Sequence, residues 1–189
     1  MVLSNYMLTI LGRAGFVSIA ILIALLTVSG QDKKERQRET IIAAARELMT
    51  TTRYCALITV DGKSQAHART MDPFPPDENL VVWLATNPRS RKVAEIRRNP
   101  RVTLYYFDAA SQGYVSIYGR ARVVDDPKEK ARHWKNEWKD FYPDRVKSYL
   151  LIAVTPEKME IVIVKKDIVG NSTRWTPPSV TFKRNKRLY

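Results

Sequence analysis

WLATNPRSRKVAEIRRNPRVTLYYF, from Trp83 to Phe107, reads as the end of one strand, a turn, a short helix and the start of another strand. Leu80 to Ala85 supplies the first strand, and Ser90 is a favoured N-cap residue for the helix RKVAEIRR. Asn99-Pro100 closes that helix, because proline disfavours helical backbone in the residue before it. Val102 to Phe107 then returns as a strand. Here and in the flanking sequence, strands recur without long helices between them, which suits a mostly antiparallel sheet.

The flanking sequence extends this reading. Upstream, Tyr54 to Val60 and Gln65 to Met71 are strand-like arms around Asp61-Gly62, a pair suited to a tight turn with positive φ, so a hairpin is predicted. The loop DPFPPDEN, residues 72–79, carries three prolines and cannot donate regularly to a ladder. Before the hairpin, Asp32 and Glu35 have capping-box spacing. Ile41, Ile42, Ala45, Leu48 and Met49 recur at helical spacing, which predicts a helix over about 33–50 that ends at Thr50-Thr51-Thr52. Downstream, Tyr114 to Val124 is a long alternating strand in which Gly119 permits a bend or bulge. Pro127 to Phe141 is predicted as a helix marked by Trp134, Trp138 and Phe141, and Leu150 to Val154 and Met159 to Val164 as a last strand pair. The sum is a mainly β chain with flanking helices, an antiparallel sheet of six to seven strands. Closure into a barrel is expected, since it removes exposed edges.

Composition bounds the rest. The 189 residues suffice for one ordinary domain, and 44% hydrophobic content with 7 Gly and 10 Pro excludes a disordered or collagenous chain. A formal charge of +13 suits an anionic partner, whether a phosphate, a nucleic acid or an anionic surface. AGFVSIAILIALLTV, residues 14–28, follows Arg13 and precedes Ser29-Gly30, the order of a signal peptide. Residues 1–30 are therefore expected to direct export to the periplasm or beyond, with a membrane anchor through residues 10–28 as the alternative if the segment is retained. Arg13 is the only charge in residues 1–30, so +12 lies downstream. Residues 31–165 are expected to form the folded domain and 166–189 a basic tail. With a single cysteine, Cys55 in YCALITV, no internal disulfide forms, and the thiol reads as a small buried hydrophobe.

Candidate chemistry gathers in two places. Ser90, Arg91 and Lys92 stand at the start of a helix, where free N–H groups, the helix dipole and cationic side chains all favour a phosphate. The plain alternative is a solvated basic helix. In HARTM, residues 67–71, strand periodicity puts His67, Arg69 and Met71 on one face and Ala68 and Thr70 on the other. Arg69 then needs a counter-ion: a ligand phosphate, or a neighbour such as Asp72 or Glu78. His67, His133 and Cys55 lack metal-ligand spacing, so no metal is expected, and His133 reads as a surface residue. There is no Walker loop, dinucleotide fingerprint or nucleophile elbow.

With HARTM, TNPRSRKVAEIRRNPRVTLYY and YVSIYGRARVV, the chain resembles the pyridoxamine 5'-phosphate oxidase-like flavin-binding split-barrel family, especially its general stress protein branch, over about residues 37–165. The resemblance implies a split β-barrel of the FMN-binding type. It implies a flavin phosphate held by Arg69, Ser90, Arg91 and Lys92, with Thr70, Met71, Ala85 and Thr86 lining the ribityl chain and ring. It also implies a homodimer with the flavin at the subunit interface, and a two-electron oxidoreductase acting on a small molecule. FAD, haem and deazaflavin are the ligands of relatives. Asp72 and Tyr114 stand nearest the positions where the oxidase proper has a lysine and a glutamine, and the C-terminal extension offers only Arg174-Trp175, so oxidation of pyridoxamine 5'-phosphate itself is not expected. Trp175 is a candidate to pack over the flavin. Two other classes remain open: a flavin-binding stress protein without turnover, and a basic nucleic-acid or anionic-surface module using Arg97, Arg98, Arg101, Lys183, Arg184, Lys186 and Arg187. Against the second, the basic residues are scattered and LYYF reads as an apolar strand rather than a base-stacking platform.

Overall fold

A computed structural model describes residues 31–183. The proposed signal segment and Arg184, Lys186 and Arg187 lie outside the described residues. The chain divides into two compact units at Thr40/Ile41. In the first, residues 31–40 are helical, with Arg38 paired to Glu35 at 3.1 Å. Among the described residues no helix is long and apolar enough to cross a membrane.

The second unit opens with helical residues 41–51 (α1), which bury Ala44, Ala45, Leu48 and Met49. Seven strands follow: β1 (Cys55–Val60), β2 (Ala66–Met71), β3 (Val82–Thr86), β4 (Arg101–Asp108), β5 (Gly113–Val124), β6 (Leu150–Ile163) and β7 (Ser179–Thr181). Two short helices interrupt them, α2 (Arg91–Arg98) and α3 (Pro127–Arg132). All pairings are antiparallel, in the order β2-β1-β4-β5-β6-β3, with β7 also on β6.

The sheet is mainly β with flanking helices as expected, but it is not closed into a barrel, which corrects the split-barrel expectation. β2 and β3 are the two ends of the path and no ladder joins them. The segment just after β2 meets β3 at the isolated bridge Pro73–Leu84, beside which Phe74 N–H donates to the Trp83 carbonyl at 2.9 Å. Pro73, Pro75 and Pro76 have no N–H to donate, so the segment after β2 cannot extend this bridge into a ladder.

Three local departures have physical causes. In the β1–β2 turn, positive φ falls on Ser64 at 65° rather than on Gly62, because the Asp61 carboxylate accepts the N–H groups of Lys63 and Gln65 and sets a longer loop. The predicted helix 127–141 ends at Arg132 and gives way to a 3-10 turn at Asn136–Trp138, where side-chain contacts described below hold the backbone. The last two predicted strands are one 14-residue strand, β6, and the seventh strand is β7 in the expected tail, with Val180 buried. The bulge does occur at Gly119: the β5–β6 register shifts there, and a Cβ would lie 2.4 Å from the Thr155 carbonyl oxygen.

The main core packs α1 and Ile96 of α2 with Leu57, Leu104, Ile117, Met159 and Ile161 of the sheet. A second cluster joins Ala85, Leu151 and Tyr149 to Trp138, with Phe74, Trp83, Trp134 and Tyr142 against it.

Candidate functional site

Period-two geometry places the first part of the site. In β1, Cys55, Leu57 and Thr59 are buried and alternate with less buried neighbours. In the paired β2, His67, Arg69 and Met71 share the half-buried face while Ala68 and Thr70 are exposed, as expected. Thr59 is therefore a polar group among inward apolar ones, and it needs partners.

Those partners are Arg69 and Glu95. Arg69 Nη1 donates to Thr59 Oγ1 at 2.5 Å, and Thr59 Oγ1 donates to Glu95 Oε2 at 2.5 Å. Arg69 Nη2 also donates to Glu95 Oε2, at 3.0 Å. Glu95 is 5% exposed, and Arg91 Nε stands 3.0 Å from its other oxygen one helical turn away. Burial alone would raise the Glu95 carboxyl. Hydrogen bonds from Thr59 and Arg69 and the charges of Arg69 and Arg91 outweigh it and hold the group below the ordinary glutamate range. The counter-ion of Arg69 is thus neither Asp72 nor Glu78. The one signal in the sequence was that Glu95 is the only acid in RKVAEIRR and sits four residues after Arg91.

The second part surrounds the start of α2. Ser90 is the N-cap residue, yet its hydroxyl makes no cap bond and lies 2.9 Å from Thr86 Oγ1. Lys92 Nζ donates to the same Thr86 oxygen at 3.1 Å. Burial, and then the charge of Arg69, hold the Lys92 ammonium below the ordinary lysine range. The first turn of α2 has no acidic residue, and Lys92 forms no ion pair among the described residues.

Arg69, Thr86, Ser90, Arg91 and Lys92 therefore share one locality through Glu95, Thr59 and short mutual contacts. Three cations face one buried carboxylate, an excess of two positive charges with hydroxyl donors beside them. These residues fit a phosphate. Met71 packs against the main core and Ala85 lies in the second cluster, each next in sequence to a cluster residue or two away. Trp175 does not join them. It is 89% exposed, with φ of 52°, on a loop pinned by the Asn171–Thr176 bridge. That loop follows the Ile163 end of β6, whereas Thr86 pairs with Leu150 at the other end.

Asp72 has a different task. Its carboxylate accepts Lys135 Nζ at 2.8 Å and Trp138 Nε1 at 3.2 Å, and Lys135 also donates to the Pro73 carbonyl at 2.9 Å. This clasp holds the 3-10 turn against the end of β2. Beside it opens a cleft of about 370 Å³, lined by Met49, Arg53, Asp72, Phe74, Lys135 and Glu137 among others. His133 is not a surface residue: its ring stacks on Trp83 with centroids 4.2 Å apart and meets Phe74 edge-on at 5.1 Å. Tyr114 stacks on Tyr105 at 5.7 Å, and Arg97, Arg98, Arg101 and Lys183 are exposed.

The family model described as "Pyridoxamine 5'-phosphate oxidase like" matches residues 41–166. General stress protein 26 from Bacillus anthracis str. Sterne aligns with a TM-score of 0.61 and 22% identity, over 75% of this chain and 98% of that one. A protein from Clostridium acetobutylicum related to general stress protein 26 of B. subtilis aligns with a TM-score of 0.61 and 20% identity, over 77% and 95%. A pyridoxamine 5'-phosphate oxidase-related, FMN binding protein from Nostoc punctiforme PCC 73102 aligns with a TM-score of 0.51 and 14% identity, over 79% and 97%. No protein of curated function matches the chain.

Proposed function

Since the chain belongs to the pyridoxamine 5'-phosphate oxidase-like family, we propose that it binds flavin mononucleotide and serves as a flavin-dependent oxidoreductase for a small molecule. The observation that carries this reading is that Arg69 and Arg91 pair with the single carboxylate of Glu95 while Lys92, with no ion-pair partner among the described residues, bonds to Thr86 beside the uncapped start of α2. Arg69, Arg91, Lys92 and Ser90 hold the phosphate; Thr70, Met71, Ala85 and Thr86 line the ribityl chain and ring. The bound flavin would supply hydride transfer, and the protein fixes its position. We assign the cleft beside Asp72 and Lys135 to the substrate, because it adjoins the Met71 end of β2.

The working unit of this reading is a homodimer. In its support, Tyr105, Phe107 and Tyr118 on β4 and β5 are exposed large apolar groups, and Trp175 is free to reach a second copy. Export by residues 1–30 belongs to the same proposal, and sequencing the amino terminus of the secreted protein tests it.

The test of function is direct. The purified chain is mixed with FMN, FAD, haem or a deazaflavin, desalted, and its visible spectrum recorded. Retained FMN that disappears in the Arg91→Ala, Lys92→Ala double variant is the expected result, followed by turnover with a reduced nicotinamide. Retention without any turnover would make the chain a flavin-binding stress protein. No retained chromophore would overturn the flavin reading and favour an anionic-surface module.

A further inference from the structure

The two arginines that the proposed flavin site needs for phosphate are both engaged by one buried side chain. Glu95 Oε2 accepts Arg69 Nη2 at 3.0 Å and the Thr59 hydroxyl at 2.5 Å. Its Oε1 lies 3.0 Å from Arg91 Nε and 3.9 Å from His67 Nε2, and no hydrogen bond satisfies it. A carboxylate in this place competes with any anion for the same guanidinium groups.

We infer that Glu95 determines the specificity of the anion site: it is an internal counter-ion that lets a dianionic phosphate monoester in and keeps a monoanionic diester out. The inference rests on reading this cluster as a phosphate site. Arg69, Arg91 and Lys92 less Glu95 leave two uncompensated positive charges. A terminal phosphate monoester has a second pKa of about 6 and carries close to two negative charges at neutral pH, whereas a diester carries one. The monoester neutralises the cluster. The diester leaves one cation uncompensated in a half-buried setting, and has half the charge with which to draw the arginines from Glu95.

The positions of the donors agree with this competition. Arg91 turns Nε to Glu95, and its side chain is 67% exposed, so its terminal nitrogens are open to an incoming oxygen. Arg69 is only 19% exposed and spends one terminal nitrogen on Thr59 and the other on Glu95. Lys92 donates to the Thr86 hydroxyl and has no carboxylate at ion-pair distance among the described residues. Replacing Glu95 with glutamine keeps an acceptor of the same shape for Thr59 but removes the competing charge. Three cations then lack an internal counter-ion, and a single negative charge becomes welcome.

The full-length protein and its Glu95→Gln variant are titrated calorimetrically with methyl phosphate and dimethyl phosphate at about pH 7.5, where the monoester is dianionic. The wild type is expected to prefer the monoester by about tenfold or more, and Glu95→Gln to narrow that preference to about threefold or less without weakening the monoester. An unchanged ratio, or a variant that loses the monoester more than the diester, overturns the inference; so does a wild type that binds neither. If Glu95→Gln does not fold, Glu95→Asp withdraws the carboxylate by one methylene and is expected to give an intermediate ratio, an unchanged ratio again being fatal. FMN retention is measured on the same samples. FMN held with a ratio indifferent to Glu95 sinks this inference alone. Ester discrimination controlled by Glu95 without retained FMN sinks the flavin reading alone.

Discussion

Arg69 Nη2 and Glu95 Oε2 meet at 3.0 Å, tying β2 to α2 across 26 residues of chain. The bond places a cation-rich helix start over the inward face of the hairpin. It also makes the candidate site part of the fold's own stability, since both groups lie largely out of water.

Arg69→Met leaves the buried Glu95 with Thr59 and the solvent-facing Arg91 as its partners. Removing one member of a buried ion pair typically costs about 3–5 kcal/mol, and partial exposure of Arg69 puts this case near about 3 kcal/mol. Urea denaturation measures it. A loss within experimental error would mean that Arg91 alone compensates Glu95.

The same carboxylate gives a pH signature. Its folded value is held below the ordinary 4.5, so its stabilising contribution is complete above that pH and is lost as the pH falls through the folded value. Melting temperatures of the wild type and Glu95→Gln are therefore expected to differ most near neutrality and to converge in acid, as the pH falls through the lowered folded value. Asp61, Asp108 and Asp144 are also held low, but they are common to both proteins and cancel in the difference. Parallel curves down to acid pH would show that the charge of Glu95 does not stabilise the fold.

Gly119→Ala pushes a Cβ to 2.4 Å from the Thr155 carbonyl oxygen, which is backbone and cannot swing away. Overpacking of this kind costs about 1–3 kcal/mol, and the β5–β6 bulge puts it at the upper end. A denaturation midpoint equal to wild type would mean that the bulge relaxes without penalty.

Burial pushes the Cys55 thiol up to about 12, and the group is 3% exposed. Native protein is expected to resist a thiol reagent at mildly alkaline pH, and one equivalent is expected to react after unfolding. Rapid labelling of the folded chain would contradict the placement of β1.

Asp72→Ala removes the acceptor of both Lys135 and Trp138 Nε1. The half-buried clasp then loses about 1–3 kcal/mol. The 3-10 turn is expected to loosen, seen as a red shift of tryptophan emission and earlier proteolytic cleavage within residues 133–148. An unshifted spectrum would assign the hold on this turn to the aromatic cluster instead.

Residue periodicity made several elements legible. The inward set of His67, Arg69 and Met71, the short helix after Ser90 and the bulge at Gly119 all follow from local rules of spacing, capping and backbone freedom. The helix expected over 127–141 followed from the same kind of rule and stopped early. There Lys135 reaches Asp72, 63 residues away, and Trp138 joins Tyr149 and Tyr142 in an aromatic cluster, so tertiary contacts overrode the helical pattern. β7 was hidden because three residues with one buried valine give almost no alternation to read.

By itself, then, the sequence determined where most of the strands lie, which face of β2 looks inward, and which cations stand near the start of α2. Those are properties of neighbours along the chain, governed by backbone sterics and a period of two or 3.6. Only the tertiary structure decided that the sheet stays open between β2 and β3, that Trp175 stands away from the cation cluster, and that Arg69 finds Glu95 rather than Asp72. Those outcomes depend on which distant groups can be buried together with their charges and hydrogen bonds satisfied, and that balance exists only once the whole sheet has packed.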